Sequence, residues 1–141
     1  MAFKIISDSS CDLDLKTIEE LDLEILKIKS TDDKGEDIKE EMTNKEIYKA
    51  MREGKFFKTS QITYYEYLKK FEDLASKGID FICITLSSGM SGTYANAYMA
   101  KKEIEEKYHV KVEVIDSLAA SVGFGQITYF AGLAAKNGAS Y

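Results

Sequence analysis

The sequence predicts an α/β domain, a parallel sheet layered between helices on both faces. Three observations carry that expectation. Strand-like and helix-like segments alternate along the 141 residues, the run from Ile79 to Leu86 is apolar almost without a break, and two Thr-x-x-Glu capping boxes open helices between the strands. Element by element, Phe3-Lys4-Ile5-Ile6-Ser7-Asp8 reads as a short strand, residues 14 to 21 as a short helix capped by Asp14, and Leu23 to Lys29 as a second strand. Asp32-Asp33-Lys34-Gly35 is a turn. Thr43 with Glu46 caps a helix that runs through Arg52 and stops at Gly54; Thr63 with Glu66 caps another that runs to Lys77, with Gly78 as its stop. Ile79 to Leu86 is a strand buried on both faces, residues 92 to 107 a helix with Lys and Glu outward, Val110 to Ile115 a further strand, and about 119 to 136 an apolar helix. Strands separated by helices imply parallel pairing through right-handed crossovers.

Composition limits the functions open to such a domain. With 45% apolar and 11% aromatic residues the chain can bury one core. A net charge of -5, with no Lys/Arg cluster free of acids, argues against a nucleic-acid partner. Residues 1 to 8, MAFKIISD, are too short and too soon acidic for a signal peptide, and Cys11 and Cys83 lack a C-x-x-C spacing, so a cytoplasmic chain with reduced thiols is expected. Residues 118 to 135 are nearly all small or apolar, but Gln126 and glycines interrupt them, so a buried helix is expected there and no stable membrane insertion.

Parallel sheets bind ligands beyond the carboxyl ends of their strands. The segments that follow three strands here are all rich in hydroxyls: Asp8-Ser9-Ser10-Cys11-Asp12, Ser87-Ser88-Gly89-Met90-Ser91-Gly92-Thr93, and Asp116-Ser117. Capping and turn preference alone explain any one of them; their coincidence on one sheet edge points to a site. No Lys follows Gly92 as a P-loop requires. The only histidine, His109, lies just before a strand, at the opposite edge of the sheet, so no serine has a base beside it and no catalytic residue is assigned. What remains is neutral hydrogen bonding from hydroxyls and from backbone N–H groups at the helix that opens near Ser91, which suits a carboxylate or phosphate. The stretch Phe56-Phe57-Lys58-Thr59-Ser60-Gln61 reads as a loop between helices, either a hydrophobic staple or a loop folded over the sheet edge.

Four stretches, Asp8-Ser9-Ser10-Cys11-Asp12-Leu13, Lys58-Thr59-Ser60-Gln61, Ile84-Thr85-Leu86-Ser87-Ser88 with Ser91-Gly92-Thr93-Tyr94, and Val114-Ile115-Asp116-Ser117, closely resemble in order and spacing the DegV family of bacterial fatty-acid-binding proteins. Ile62 stands where the family pattern has Pro after Thr-Ser-Gln. The resemblance covers the whole chain and implies that residues 1 to 141 are the N-terminal domain of a two-domain architecture, the second domain being absent from this sequence. It further implies a long-chain fatty acid as bound ligand with no other cofactor and no metal, its tail in an apolar tunnel. A separate ATP-binding fatty acid kinase subunit would be the partner that phosphorylates the presented carboxylate. On that resemblance Thr59 and Ser91 hydrogen-bond the carboxylate, Gly92 lets the backbone approach it, and Ser10, Ser60, Ser88 and Ser117 are neighbours.

Two readings from other classes stand beside it. Asp8 and Asp12 after the first strand also resemble the opening of haloacid-dehalogenase-like metal-dependent phosphotransferases, although position 10, where that pattern wants a carboxylate, is Ser. A protein-interaction module without a small ligand is the other. The apolar helix near 119 to 136 needs cover on both sides, so the chain by itself is expected to self-associate, most simply as a two-fold homodimer, or to be stable only with its second half.

Overall fold

The structure, a computed structural model, describes residues 3–38 and 42–141; the first two residues of the segment weighed above as a signal peptide lie outside them. In chain order the strands are β1 (Lys4–Asp8), β2 (Glu24–Leu26), β3 (Lys29–Thr31), β4 (Lys58–Ser60), β5 (Phe81–Thr85) and β6 (Val112–Asp116). The helices are α1 (Leu15–Glu20), α2 (Asn44–Arg52), α3 (Tyr64–Ala75), α4 (Thr93–Lys107) and α5 (Ser121–Lys136), with a single 3-10 turn over Ser9–Cys11. The chain divides into two compact units, Met1–Lys27 with Ile62–Tyr141, and Ile28–Gln61.

The larger unit is the expected α/β layer. Its sheet has the order β2-β1-β5-β6, and every neighbouring pair is parallel. From β1 the chain moves outward to β2 on one side and later re-enters the sheet at β5 on the other, so the strand order reverses between β1 and β5. Such a reversal opens a crevice beyond the carboxyl ends of the two strands.

Strand alternation sends the core to both faces. On one face Ile5 and Ile84 meet Phe124 of α5, with Leu21, Leu23 and Cys11 completing the cluster. On the other, Phe81 stands 4.8 Å from the Phe71 ring of α3, and Phe71 is 5.6 Å from Tyr67, while Ala97, Ala100 and Ile104 turn the buried side of α4 inward. Because β5 is covered on both faces, its side chains are almost all apolar, which is why its sequence shows a continuous run rather than alternation. Both capping boxes form as expected, with Thr43 and Thr63 each exchanging hydrogen bonds with the Glu three residues on. Helix α3 closes at Ala75, and Gly78 at φ 70° lets the amide of Ile79 return to the carbonyl of Leu74.

The smaller unit corrects two expectations. Leu23 to Lys29 is not one strand: β2 ends at Leu26, and Lys29 begins β3, which pairs antiparallel with β4 in a separate two-stranded ribbon. Residues 56–61 are not wholly loop either, since Lys58–Ser60 forms β4, with Thr59 opposite Ser30 and Ser60 opposite Lys29. Three-residue strands carry too little periodicity to be seen in a sequence, and their pairing is set by a partner distant along the chain. The turn at Asp32 is as expected: its carboxylate accepts the amides of Lys34 and Glu36, both at 2.9 Å.

Candidate functional site

The carboxyl end of the larger unit's sheet is organised by two aspartates, each the last residue of its strand. Asp8 closes β1 and is fully buried. Its Oδ1 accepts the Ser10 amide at 2.9 Å and the Ser10 hydroxyl, and its Oδ2 accepts the Leu86 amide at 3.2 Å. One carboxylate therefore ties the exit of β1 to the exit of β5 across the strand reversal. Asp116 closes β6 and accepts the Ser88 amide at 3.0 Å and the Leu118 amide at 3.1 Å, which ties β5 to β6. Partial burial pushes the Asp116 carboxyl up, but the Ser88 hydroxyl and the amides of Leu118 and Ser88 outweigh it and hold the group below its usual range. Between these ties the Ser87 amide donates to the carbonyl of Ala119 at 3.0 Å. The turn after β5 is thus held from both sides before it reaches α4.

Ser10, Ser88, Ser91, Gly92 and Ser117, all assigned to the site from sequence, come together at this end of the sheet, but their hydroxyls are not equally available. The Ser10 hydroxyl donates to Asp8, whereas Ser88 is held through its backbone amide, which donates to Asp116. Ser117 donates to the Ala119 carbonyl and accepts the Ala119 amide, both at 3.2 Å. Ser91 differs: half-buried, it stands at the opening of α4, where its Oγ accepts the Thr93 amide at 3.2 Å and lies 2.8 Å from Thr93 Oγ1. Gly92 is the residue before the helix, at φ -73° and ψ 2°, with no side-chain cap of its own, and the first amide of α4, that of Thr93, is taken by Ser91 Oγ. Thr59 and Ser60 lie in the smaller unit, exposed on β4. His109 is exposed and precedes β6, at the opposite end of the strands.

Sequence reading missed the roles of Asp8, Asp116 and Thr93. The signal available was the repeated Asp-Ser at a strand end, Asp8-Ser9 and Asp116-Ser117, where a short acceptor can reach neighbouring amides. With one oxygen held by Ser10 and the other by the Leu86 amide, the buried Asp8 is not presented to a phosphate as the dehalogenase-like reading requires. Among the described residues no three of His, Cys, Asp and Glu stand together as metal ligands.

A cavity of about 330 Å³ opens at the same end of the sheet, on its α5 face, lined by Cys11, Asp12, Leu13, Val122, Gly125, Gln126, Tyr129 and Phe130. Its floor depends on Gly125. A Cβ there would lie 2.3 Å from the carbonyl oxygen of Cys11, so only glycine lets α5 rest directly on the Ser9–Cys11 turn. Asp12 and Ser121, both left-handed at φ 53° and 49°, are joined by a 2.6 Å hydrogen bond from the Ser121 hydroxyl to Asp12. Burial pushes the Cys11 thiol up, so the group lining this cavity is a neutral thiol rather than a nucleophile.

A family model described as "Uncharacterised protein, DegV family" matches residues 2–141. The DegV domain-containing protein CPE0026 of Clostridium perfringens is 33% identical over 142 residues, which cover 98% of this chain and 49% of that protein. Among solved structures, a fat acid (stearic acid)-binding protein from Eubacterium ventriosum superposes with a TM-score of 0.88 at 28% identity, covering 99% of this chain and 49% of that one. DegV of Bacillus subtilis, described as a fatty acid binding protein, superposes with a TM-score of 0.85 at 26% identity, covering 100% and 50%. The chain spans about half the length of the curated relatives and solved structures it matches.

Proposed function

The chain belongs to the DegV family, and from that premise we propose that it binds a long-chain fatty acid and presents its carboxylate to a separate ATP-binding kinase subunit. The observation that carries the reading is the presence, at the same end of one sheet, of neutral hydrogen-bond donors around Ser91 and of a mainly apolar cavity against α5. Ser91 donates to the carboxylate, and the dipole of α4 favours the negative charge at its N-terminal end. The cavity takes part of the tail.

Magnitudes divide the work. Burying about 14 methylenes at about 0.8 kcal/mol each gives roughly 11 kcal/mol gross, from which lost freedom on binding removes several kcal/mol. Two or three hydrogen bonds to a charged group, about 1.5 to 3 kcal/mol each, largely offset the desolvation of the carboxylate. The tail supplies affinity and the head-group contacts decide which end faces outward, which is what a kinase acting on the carboxylate requires. In this reading the chain holds its ligand and leaves phosphoryl transfer to the partner.

Denaturing extraction of the purified protein followed by lipid mass spectrometry tests the proposal. A long-chain fatty acid recovered in stoichiometric amount is the expected result. A protein that carries no lipid and takes up no added stearate overturns it.

A further inference from the structure

We infer that Thr93 is the positioning residue that aims the Ser91 hydroxyl proton at the ligand carboxylate. The inference rests on the proposed function for its ligand, but its geometry is that of the chain alone. Ser91 and Thr93 hydroxyls lie 2.8 Å apart and either could donate. Burial decides between the two arrangements. Thr93 is fully buried and its Oγ1 has Ser91 Oγ as its hydrogen-bond partner, whereas Ser91 is half-exposed.

If Ser91 donated, the Thr93 proton would be buried without an acceptor, an arrangement that folded proteins avoid. Thr93 therefore donates. Its backbone amide donates to the same oxygen at 3.2 Å. Two donors from one residue fill both lone pairs of Ser91 Oγ, and the single proton that remains has to point away from the helix. Ser91 is thereby fixed as a pure donor on its open side. An anion acceptor such as a carboxylate is favoured there, and a group that needs to donate to Ser91, such as an alcohol using its own proton, gains nothing. Thr93 touches no ligand in this arrangement and acts only through Ser91.

The experiment compares stearate with stearyl alcohol binding in the wild-type protein, Thr93→Val and Thr93→Ser, by calorimetric or fluorescence displacement, with folding followed by circular dichroism. Thr93→Val is expected to bind stearate at least about ten-fold more weakly, in keeping with a weakened bond to a charged group, while its alcohol binding stays within two-fold of wild type. Thr93→Ser, which restores the hydroxyl without the methyl, is expected to recover stearate binding. Thr93→Ala serves as the second hydroxyl deletion if the valine variant does not fold. Equal loss for acid and alcohol, or no recovery in Thr93→Ser, shows that Thr93 acts through packing and overturns the inference. Unchanged stearate binding in the folded deletion variant also overturns it. A wild-type protein that binds no stearate defeats the proposed function itself, and this assignment with it.

Discussion

At the scale of single residues, availability of protons separates the candidate contacts more sharply than their positions do. Ser10 and Ser117 spend their hydroxyls on their own loops, and Ser91 accepts the Thr93 amide. Ser91→Ala is therefore expected to weaken fatty-acid binding by about 1 to 3 kcal/mol, because a sequestered carboxylate loses a donor with no water to replace it. Titration calorimetry with stearate checks this, alongside unfolding curves that should barely move. Wild-type affinity in Ser91→Ala would remove Ser91 from the site. The crowding of hydroxyls and glycine from Ser87 to Thr93 was legible in the sequence, and its coincidence with two other hydroxyl-rich strand exits pointed to one sheet edge. The direction of each proton was not legible, because it depends on which oxygen of a neighbouring loop comes within reach.

At the scale of elements, glycine marks where α5 meets the rest of its unit. At Gly125 the obstacle to a side chain is the backbone carbonyl of Cys11, which cannot move without shifting the Ser9–Cys11 turn. At Gly132 the nearest obstacle, 2.8 Å from a built Cβ, is the tip of the Leu23 side chain, which can rotate aside. Gly125→Ala is expected to destabilise the fold by about 1 to 3 kcal/mol through overpacking. Gly132→Ala should lose clearly less, because the Leu23 tip can yield where the Cys11 carbonyl cannot, the helix-propensity gain of up to about 1 kcal/mol being common to both variants. Urea unfolding of the two variants makes the comparison. A Gly125→Ala protein as stable as wild type would mean that α5 does not bear directly on the turn. Both capping boxes and the apolar run of β5 were readable at this scale because each is a local pattern. The ribbon of β3 and β4 was not, because its short strands meet across a long separation in sequence.

At the scale of the whole molecule, α5 presents an apolar surface outward as well as inward. Phe124, Gly125, Thr128, Gly132 and Ala135 are buried, yet Val122 and Phe130 remain 69% and 64% exposed, and Leu118 just before the helix is 76% exposed. A surface helix of this composition calls for a covering partner. The isolated chain is therefore expected to self-associate, with two-fold pairing of equivalent faces the simplest form. Sedimentation velocity at micromolar concentration checks this; a monomer that binds no dye for exposed apolar surface would show that the face needs no cover. By itself the sequence determined the α/β class, the caps and the hydroxyl-rich strand exits, which follow from periodicity and local patterns along the chain, and its four short motifs carried the resemblance to the family. Only the tertiary structure decided that the strand order reverses between β1 and β5, that Asp8 and Asp116 tie successive loops together, and that a buried Thr93 hydroxyl lies against Ser91 Oγ. Each of those depends on groups far apart in sequence, or on burial that fixes the direction of a hydrogen bond, and neither is written into a local pattern.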